Sequence, residues 1–212
     1  MYDIIRDKSK ELQTFAKQFG FKELFLITEN SNDNADILLI KQAKDYRKEI
    51  LAARKKFDVV IALGNFKENR KIVEAVPDVL LSPHNGSKKD FMNERASGLD
   101  HIICKIAAEN KVAIGLDFSE LLHAEQEREQ IIGRIMQNIK LCRKYKVKML
   151  FATFAASQLE MRDAYDLLAF AQNISMTPAE SKTSLNTISG IINRNKERKK
   201  PEYVAEGIRI IK

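Results

Sequence analysis

Three histidines, His84, His101 and His123, and three aspartates near the ends of apolar runs, Asp36, Asp78 and Asp117, are the residues from which a hydrolytic metal site would have to be built. Metal-assisted hydrolysis needs imidazoles and carboxylates converging on one ion, and a close His-x-His pair after a strand is a common way to begin one. No two of these histidines lie within two residues of each other, and the segment Glu29-Asn30-Ser31-Asn32, behind the first strong apolar run, contains none. Lone aspartates in such places more often cap helices or hold loops. No serine or cysteine stands in a recognisable arrangement with a base, and the eight glycines form no phosphate-cradling loop. Cys104 and Cys142 lack a CxxC spacing and read as reduced, buried thiols. The sequence points away from intrinsic catalysis.

Basic residues make the stronger signal, because lysine and arginine neutralise phosphates without needing base identity. The formal charge is +7, from 36 basic and 29 acidic residues, which favours polyanionic partners. Three segments concentrate it. Lys41, Lys44, Arg47, Lys48, Arg54, Lys55 and Lys56 are opposed only by Asp45 and Glu49; Lys140, Arg143, Lys144, Lys146 and Lys148 have no acid among them; and Lys182 to Lys212 is again mostly basic. Each alone reads equally well as a hydrated helix face. Arg194, Lys196, Arg198, Lys199 and Lys200 lie beyond the last apolar stripe and suggest a mobile basic tail from about 194. Aromatic residues fall mostly in apolar stripes, so structured RNA read by shape and backbone suits the chain better than stacked single strands.

These groups must be positioned by short elements. Apolar runs at 23–28, 37–40, 58–63, 79–81, 112–116 and 148–152, with a weaker one near 171–175, read as about seven strands, nearly all without polar alternation and therefore covered on both faces. Between them, helical periodicity marks residues from Leu12 to Phe19, with Asp7 as N-cap and Gly20 as stop, then 42–56, 67–75, a helix from Leu99 to Asn110, a long one opened by Glu125, Glu127 and Glu129, and 164–170. Thr177-Pro178-Ala179-Glu180 opens a last long helix with a capping-box signature, buried through Leu185, Ile188, Ile191 and Ile192. With 44% hydrophobic and 31% charged residues, 212 residues suffice for a full core, and the chain reads as a single domain, 1–212. Such alternation fits an open doubly wound sheet or a closed barrel. No stretch is long and apolar enough for a secretory leader or membrane span, which implies a cytoplasmic protein with no membrane partner.

From Asp78 onward an ordered series appears: Ser82-Pro83, Lys88-Lys89-Asp90, Gly98, Asp100-His101 and Lys105, then Lys144-Tyr145, Arg162-Asp163, and Pro178-Ala179 with Lys182. This series resembles the ribonuclease P protein component 3 family of archaea and eukaryotes. It departs from the family in the longer stretch Phe91–Ser97 and in Ser119-Glu120, where relatives commonly carry an arginine. The resemblance implies an α/β fold, a distorted TIM-type barrel of about seven strands with surrounding helices, akin to the PHP metal-dependent phosphoesterases. It implies a protein subunit that binds and stabilises the catalytic RNA of ribonuclease P and supports 5′ maturation of precursor tRNA. RNA contacts then fall to Lys88, Lys89, Lys105, Arg162 and Lys182, with Arg194 and Lys196 added from the basic tail. Lys105 has Asp100 or Glu109, and Arg162 has Asp163 or Asp166, as competing ion-pair partners. The resemblance further implies no cofactor on the protein, Mg2+ at the RNA, an RRM-like small protein subunit as partner in a heterotetramer, and precursor tRNA met only indirectly. The alternative is a stand-alone PHP-like phosphoesterase. The loop from Ser82 to Gly98, carrying His84, Lys88, Lys89, Asp90 and Arg95, is expected to be extended and exposed.

Overall fold

The computed structural model describes residues 1–7, 9–86, 89–90, 92, 94–205 and 208–209. Seven short strands, β1 (Tyr2–Ile5), β2 (Glu23–Thr28), β3 (Ile37–Ile40), β4 (Val59–Leu63), β5 (Val79–Leu81), β6 (Ala113–Asp117) and β7 (Met149–Ala152), pair in chain order and all in parallel. The helices are α1 (Lys10–Gln18), α2 (Tyr46–Ala53), α3 (Asn69–Glu74), α4 (His101–Asn110), α5 (Phe118–His123), α6 (Arg128–Tyr145), α7 (Ala164–Asn173), α8 (Pro178–Ser184) and α9 (Thr187–Arg198). Every strand-to-strand link carries a helix except that from β2 to β3. The first and last strands meet through a parallel bridge between Ile5 and Ala155, and the Arg6 N–H donates to the Ala155 carbonyl at 2.8 Å. The result is a nearly closed, distorted TIM-type barrel, as the family resemblance implies.

Strand pleating assigns alternate residues to opposite faces. Ile4, Phe25, Ile37, Ile61, Val79 and Leu150 share one cluster inside the barrel, while Leu38, Val60, Leu80, Ile114 and Phe151 belong to the shell under the helices. Both faces are buried, hence the unbroken apolar runs. The lumen cluster draws on one helix only: Ile188, Ile191 and Ile192 of α9 join it at helical spacing. That helix therefore closes the end of the barrel where the strands begin. Cys104 and Cys142 are unpaired and buried, and burial pushes the Cys104 thiol up to about 12.

Four expectations are corrected. The N-cap of α1 is Ser9, whose Oγ accepts from the Leu12 N–H at 3.3 Å, rather than Asp7. Residues 171–173 continue α7 instead of opening a strand, because Leu167, Ala171 and Ile174 bury one helical face. The missing seventh strand is β1, which escaped notice because Asp3 interrupts its apolar run. The last long helix is two helices, α8 and α9, divided at Leu185-Asn186; the Asn186 side chain takes the Lys182 carbonyl at 2.7 Å, and the hydroxyls of Ser184 and Thr187 take other carbonyls of that turn. The capping box at Thr177 and Glu180 is present.

Asp3 closes the seam between β1 and β7. Fully buried, its carboxylate accepts from the Thr153 backbone N–H at 2.7 Å and from the Thr153 hydroxyl. Burial pushes its carboxyl up to about 6, against those two hydrogen bonds. The folded chain thus holds the Asp3 proton more tightly than the unfolded chain does, so this group's stabilising contribution is complete below its unfolded value of 3.8 and is lost as pH rises to about 6. Asp3→Asn cannot ionise. Between about pH 4 and pH 7 the difference in unfolding free energy should move in favour of the variant by on the order of 2–3 kcal/mol, measured by urea denaturation at each pH. A difference independent of pH would contradict this role.

Candidate nucleic-acid interface

A parallel barrel has two functionally distinct ends, and in TIM-type enzymes the chemistry sits at the carboxyl end, where the strands finish. Here that end is tied down by the protein's own groups. The Arg6 guanidinium lies 3.2 Å from Asp117 and 3.8 Å from Glu29, and Lys41 lies 2.7 Å from the same glutamate. Asp117 also caps α5 by accepting from the Ser119 N–H at 2.8 Å. Asp36 and Asp78, which directly precede β3 and β5 at the opposite end, accept from the Leu26 and Val60 N–H groups, so the three aspartates hold structure at separate places. Among the described residues no three histidine, cysteine, aspartate or glutamate side chains converge to hold a metal ion.

The segment after β5 is exposed as expected at Asn85, Gly86, Lys89, Met92, Glu94 and Arg95, but its two ends are buried and anchored. Ser82, Pro83, His84, Ala96 and Ser97 are buried. Ser82 Oγ donates to Glu120 Oε2 at 2.7 Å, and His84 Nε2 lies 2.8 Å from Glu120 Oε1. Burial raises the Glu120 carboxyl, but the His84 and Ser82 contacts outweigh it and hold the group below its usual range. The Ser119-Glu120 departure thus serves the interior: Ser119 is buried and Glu120 staples the turn. Asp90 accepts from Arg134 at 2.8 Å, from Arg95 at 3.0 Å and from the Ala96 N–H at 3.0 Å. Gly98 has φ +79, and a Cβ there would sit 1.9 Å from the Pro83 carbonyl oxygen, so no other residue fits. Asp100 caps α4 through the Ile103 N–H at 2.7 Å.

The residues anticipated to touch RNA do not form one patch. Lys88 lies outside the described residues. Lys89 is exposed beside Asp90 at the carboxyl end. Arg162 shares that end, but its Nη1 donates to the Leu159 and Met161 carbonyls, both at 2.7 Å, and its guanidinium lies 5.8 Å from the Phe118 ring centre; neither Asp163 nor Asp166 holds it. Lys105 is exposed on the flank with His101, and no ion pair to Asp100 or Glu109 forms among the described residues. Lys182 is exposed on α8, while Arg194 and Lys196 belong to α9 at the amino end of the barrel, where the strands begin. The mobile arm expected from Arg194 is corrected: helix α9 runs to Arg198, Arg194 lies 3.0 Å from Asp78, and Lys196 and Lys199 lie 3.3 and 3.0 Å from Asp58. Ile188, Ile191 and Ile192 hold that helix in the lumen, which is why its basic end is fixed.

The amino end carries a basic signal that reading along the chain dispersed. Exposed lysines occupy four of the six connectors leading into β2–β7: Lys22 before β2, Lys55 and Lys56 before β4, Lys111 before β6, and Lys146 and Lys148 before β7. Connectors leaving the strands are richer in acids, including Glu29, Glu68, Glu94, Glu120 and Glu160. Only the closed topology brings these sequence-distant lysines to one face.

Residues 38–200 match the family described as RNase P subunit p30. The chain belongs to this family. It is 27% identical over 206 residues to the ribonuclease P protein component 3 of Methanococcus maripaludis, covering 96% of this chain and 83% of that protein. It is 29% identical over 175 residues to the component of the same name from Methanocaldococcus jannaschii, covering 81% and 72%. A chain in a cryo-EM structure of archaeal ribonuclease P with mature tRNA superposes with a TM-score of 0.71 at 25% identity, covering all of this chain and 87% of that one. An amidohydrolase superposes at 0.52 with 12% identity and shares the fold alone. The family likeness thus begins well before Asp78, where the legible motifs start.

Asp90, within the basic-basic-aspartate step, has a structural duty that its neighbour Lys89 lacks. Asp90→Ala removes a carboxylate from Arg134, whose side chain is 3% exposed, and should cost on the order of 3 kcal/mol in chemical denaturation. Lys89→Ala should change stability by less than about 0.5 kcal/mol. Equal effects of the two substitutions would refute this division.

Proposed function

We propose that the protein is a non-catalytic subunit of ribonuclease P that binds and braces the enzyme's catalytic RNA, supporting 5′ maturation of precursor tRNA. Membership of the p30 family carries this reading, and the lysine-studded amino end of the barrel supplies the physical means. RNA is a polyanion whose folding is opposed by its own charge. A rigid protein face presenting ammonium and guanidinium groups lowers that repulsion and releases condensed counterions. In this reading Mg2+ remains with the RNA phosphates and the polypeptide binds no cofactor of its own. A small RRM-like protein subunit joins it in a heterotetramer, and precursor tRNA is met through the RNA. The assembly works in the cytoplasm; among the described residues no helix is long and apolar enough to cross a membrane.

A stand-alone phosphoesterase is disfavoured by the carboxyl end itself. The Arg6 guanidinium lies against Asp117 and Glu29, and Glu120 is engaged by Ser82 and His84, so the carboxylates there are already committed to protein partners.

If roughly six phosphates are neutralised, affinity for the cognate ribonuclease P RNA should fall about a thousandfold between about 50 and 200 mM monovalent salt. Filter-binding titrations should also show that RNA bound far more tightly, at matched salt, than an unrelated structured RNA of equal length. Equal binding of the two RNAs would leave only a general RNA-binding protein.

A further inference from the structure

We infer that the RNA phosphate backbone docks on the amino end of the barrel, across the C-terminal half of α9 and the turn after α2, rather than on the carboxyl-end loops where barrels of this type usually place function. The inference rests on the subunit reading above and locates its binding face.

The observation that carries it is a cluster of cations sharing too few carboxylates. Asp58 holds both Lys196 and Lys199, at 3.3 and 3.0 Å. Asp78 holds Arg194 at 3.0 Å and lies 3.7 Å from Arg54. Four cations therefore share two carboxylates, and the cluster keeps an excess of two positive charges. These groups are held in place by neutral acceptors as well. Arg54 Nη2 donates to the Val76 carbonyl at 2.7 Å, and Lys199 Nζ donates to the Phe57 carbonyl at 3.0 Å. Their outer faces stay open to water: the side chains of Arg54, Lys196 and Lys199 are 36%, 56% and 43% exposed.

A cation held by one partner and free on its other side is pre-organised for a second anion. Docking there costs less side-chain freedom than recruiting a fully mobile lysine. A phosphodiester chain is the anion that best fits several such groups spaced along one face, because each phosphate brings one charge and needs no particular base. The exposed Lys55, Arg198 and Lys200 continue the face outward from the cluster. At the carboxyl end the excess is smaller: Arg6, Lys41, Arg95 and Arg134 face Glu29, Asp117 and Asp90, four cations on three carboxylates, which leaves one positive charge.

The test compares two sets of exposed lysines in the full-length chain, using transcribed ribonuclease P RNA as the probe. Lys55→Gln/Lys196→Gln/Lys200→Gln removes charge from the amino end. Lys44→Gln/Lys67→Gln removes it from the carboxyl end, at residues outside the proposed face. Melting by circular dichroism confirms folding of both. The amino-end variant should lose about two to three from the slope of log Kd against log salt, and about tenfold or more in affinity at low salt. The carboxyl-end variant should stay within about twofold of the unsubstituted chain. The inference is overturned if the slope survives the amino-end substitutions, if the carboxyl-end variant takes the loss instead, or if the amino-end variant keeps its RNA affinity and loses only the capture of a protein partner. If the amino-end loss is equal on ribonuclease P RNA and on an unrelated structured RNA that the unsubstituted chain binds as well, the face stands and the subunit reading falls.

Discussion

Asp78 is the joint on which this barrel turns. Its side chain is 1% exposed, and it accepts from the Val60 N–H, Arg194 Nη2 and Asn195 Nδ2, each at 3.0 Å. A single carboxylate thereby ties β4 and β5 to the helix that fills the lumen. A buried carboxylate without partners would cost several kcal/mol, so its retention depends on the cations and amides around it. Of those cations Arg194 lies on α9 and Arg54 at the end of α2, and Asp58 holds Lys196 and Lys199 of the same face. The interaction that seats the lumen helix is the one that fixes the orientation of the charges best suited to RNA, and fold and binding face are consequences of one contact set.

The family motif separates into two physical roles once its residues are placed. Gly98 is demanded by a left-handed backbone against Pro83, Asp100 caps α4, and Asp90 anchors Arg134. Lys89, His101 and Lys105 face solvent. A series of residues can therefore identify a family through structural as well as exposed positions. Arg162 combines the two: it is half-buried, its Nη1 donates to the Leu159 and Met161 carbonyls, and its guanidinium lies by the Phe118 ring.

Much of the architecture was legible because two-sided burial leaves a strong trace. The runs 37–40 and 79–81 are apolar throughout, and both are strands buried on each face. The sequence yields seven barrel strands through two compensating errors, since its pattern hides β1 and makes the end of α7 resemble a strand. Asp3 hid the first of these; its long-range partner is Thr153, 150 residues away, and no local pattern carries that information. The candidate face was less legible for the same reason. Lys22, Lys55, Lys111 and Lys148 are ordinary surface lysines until the barrel brings their connectors together, and the tail from Arg194 looked mobile because its acidic partners, Asp58 and Asp78, lie more than a hundred residues earlier.

In the proposed role the protein supplies charge and rigidity while chemistry belongs to the RNA. Its most direct test is the Mg2+ dependence of precursor-tRNA cleavage by the ribonuclease P RNA, assembled with its other protein subunits, with and without this chain. Adding the chain should move the Mg2+ midpoint to lower concentration, and the chain without RNA should cleave nothing. Cleavage by the protein alone, or a Mg2+ midpoint unmoved by its addition, would contradict it.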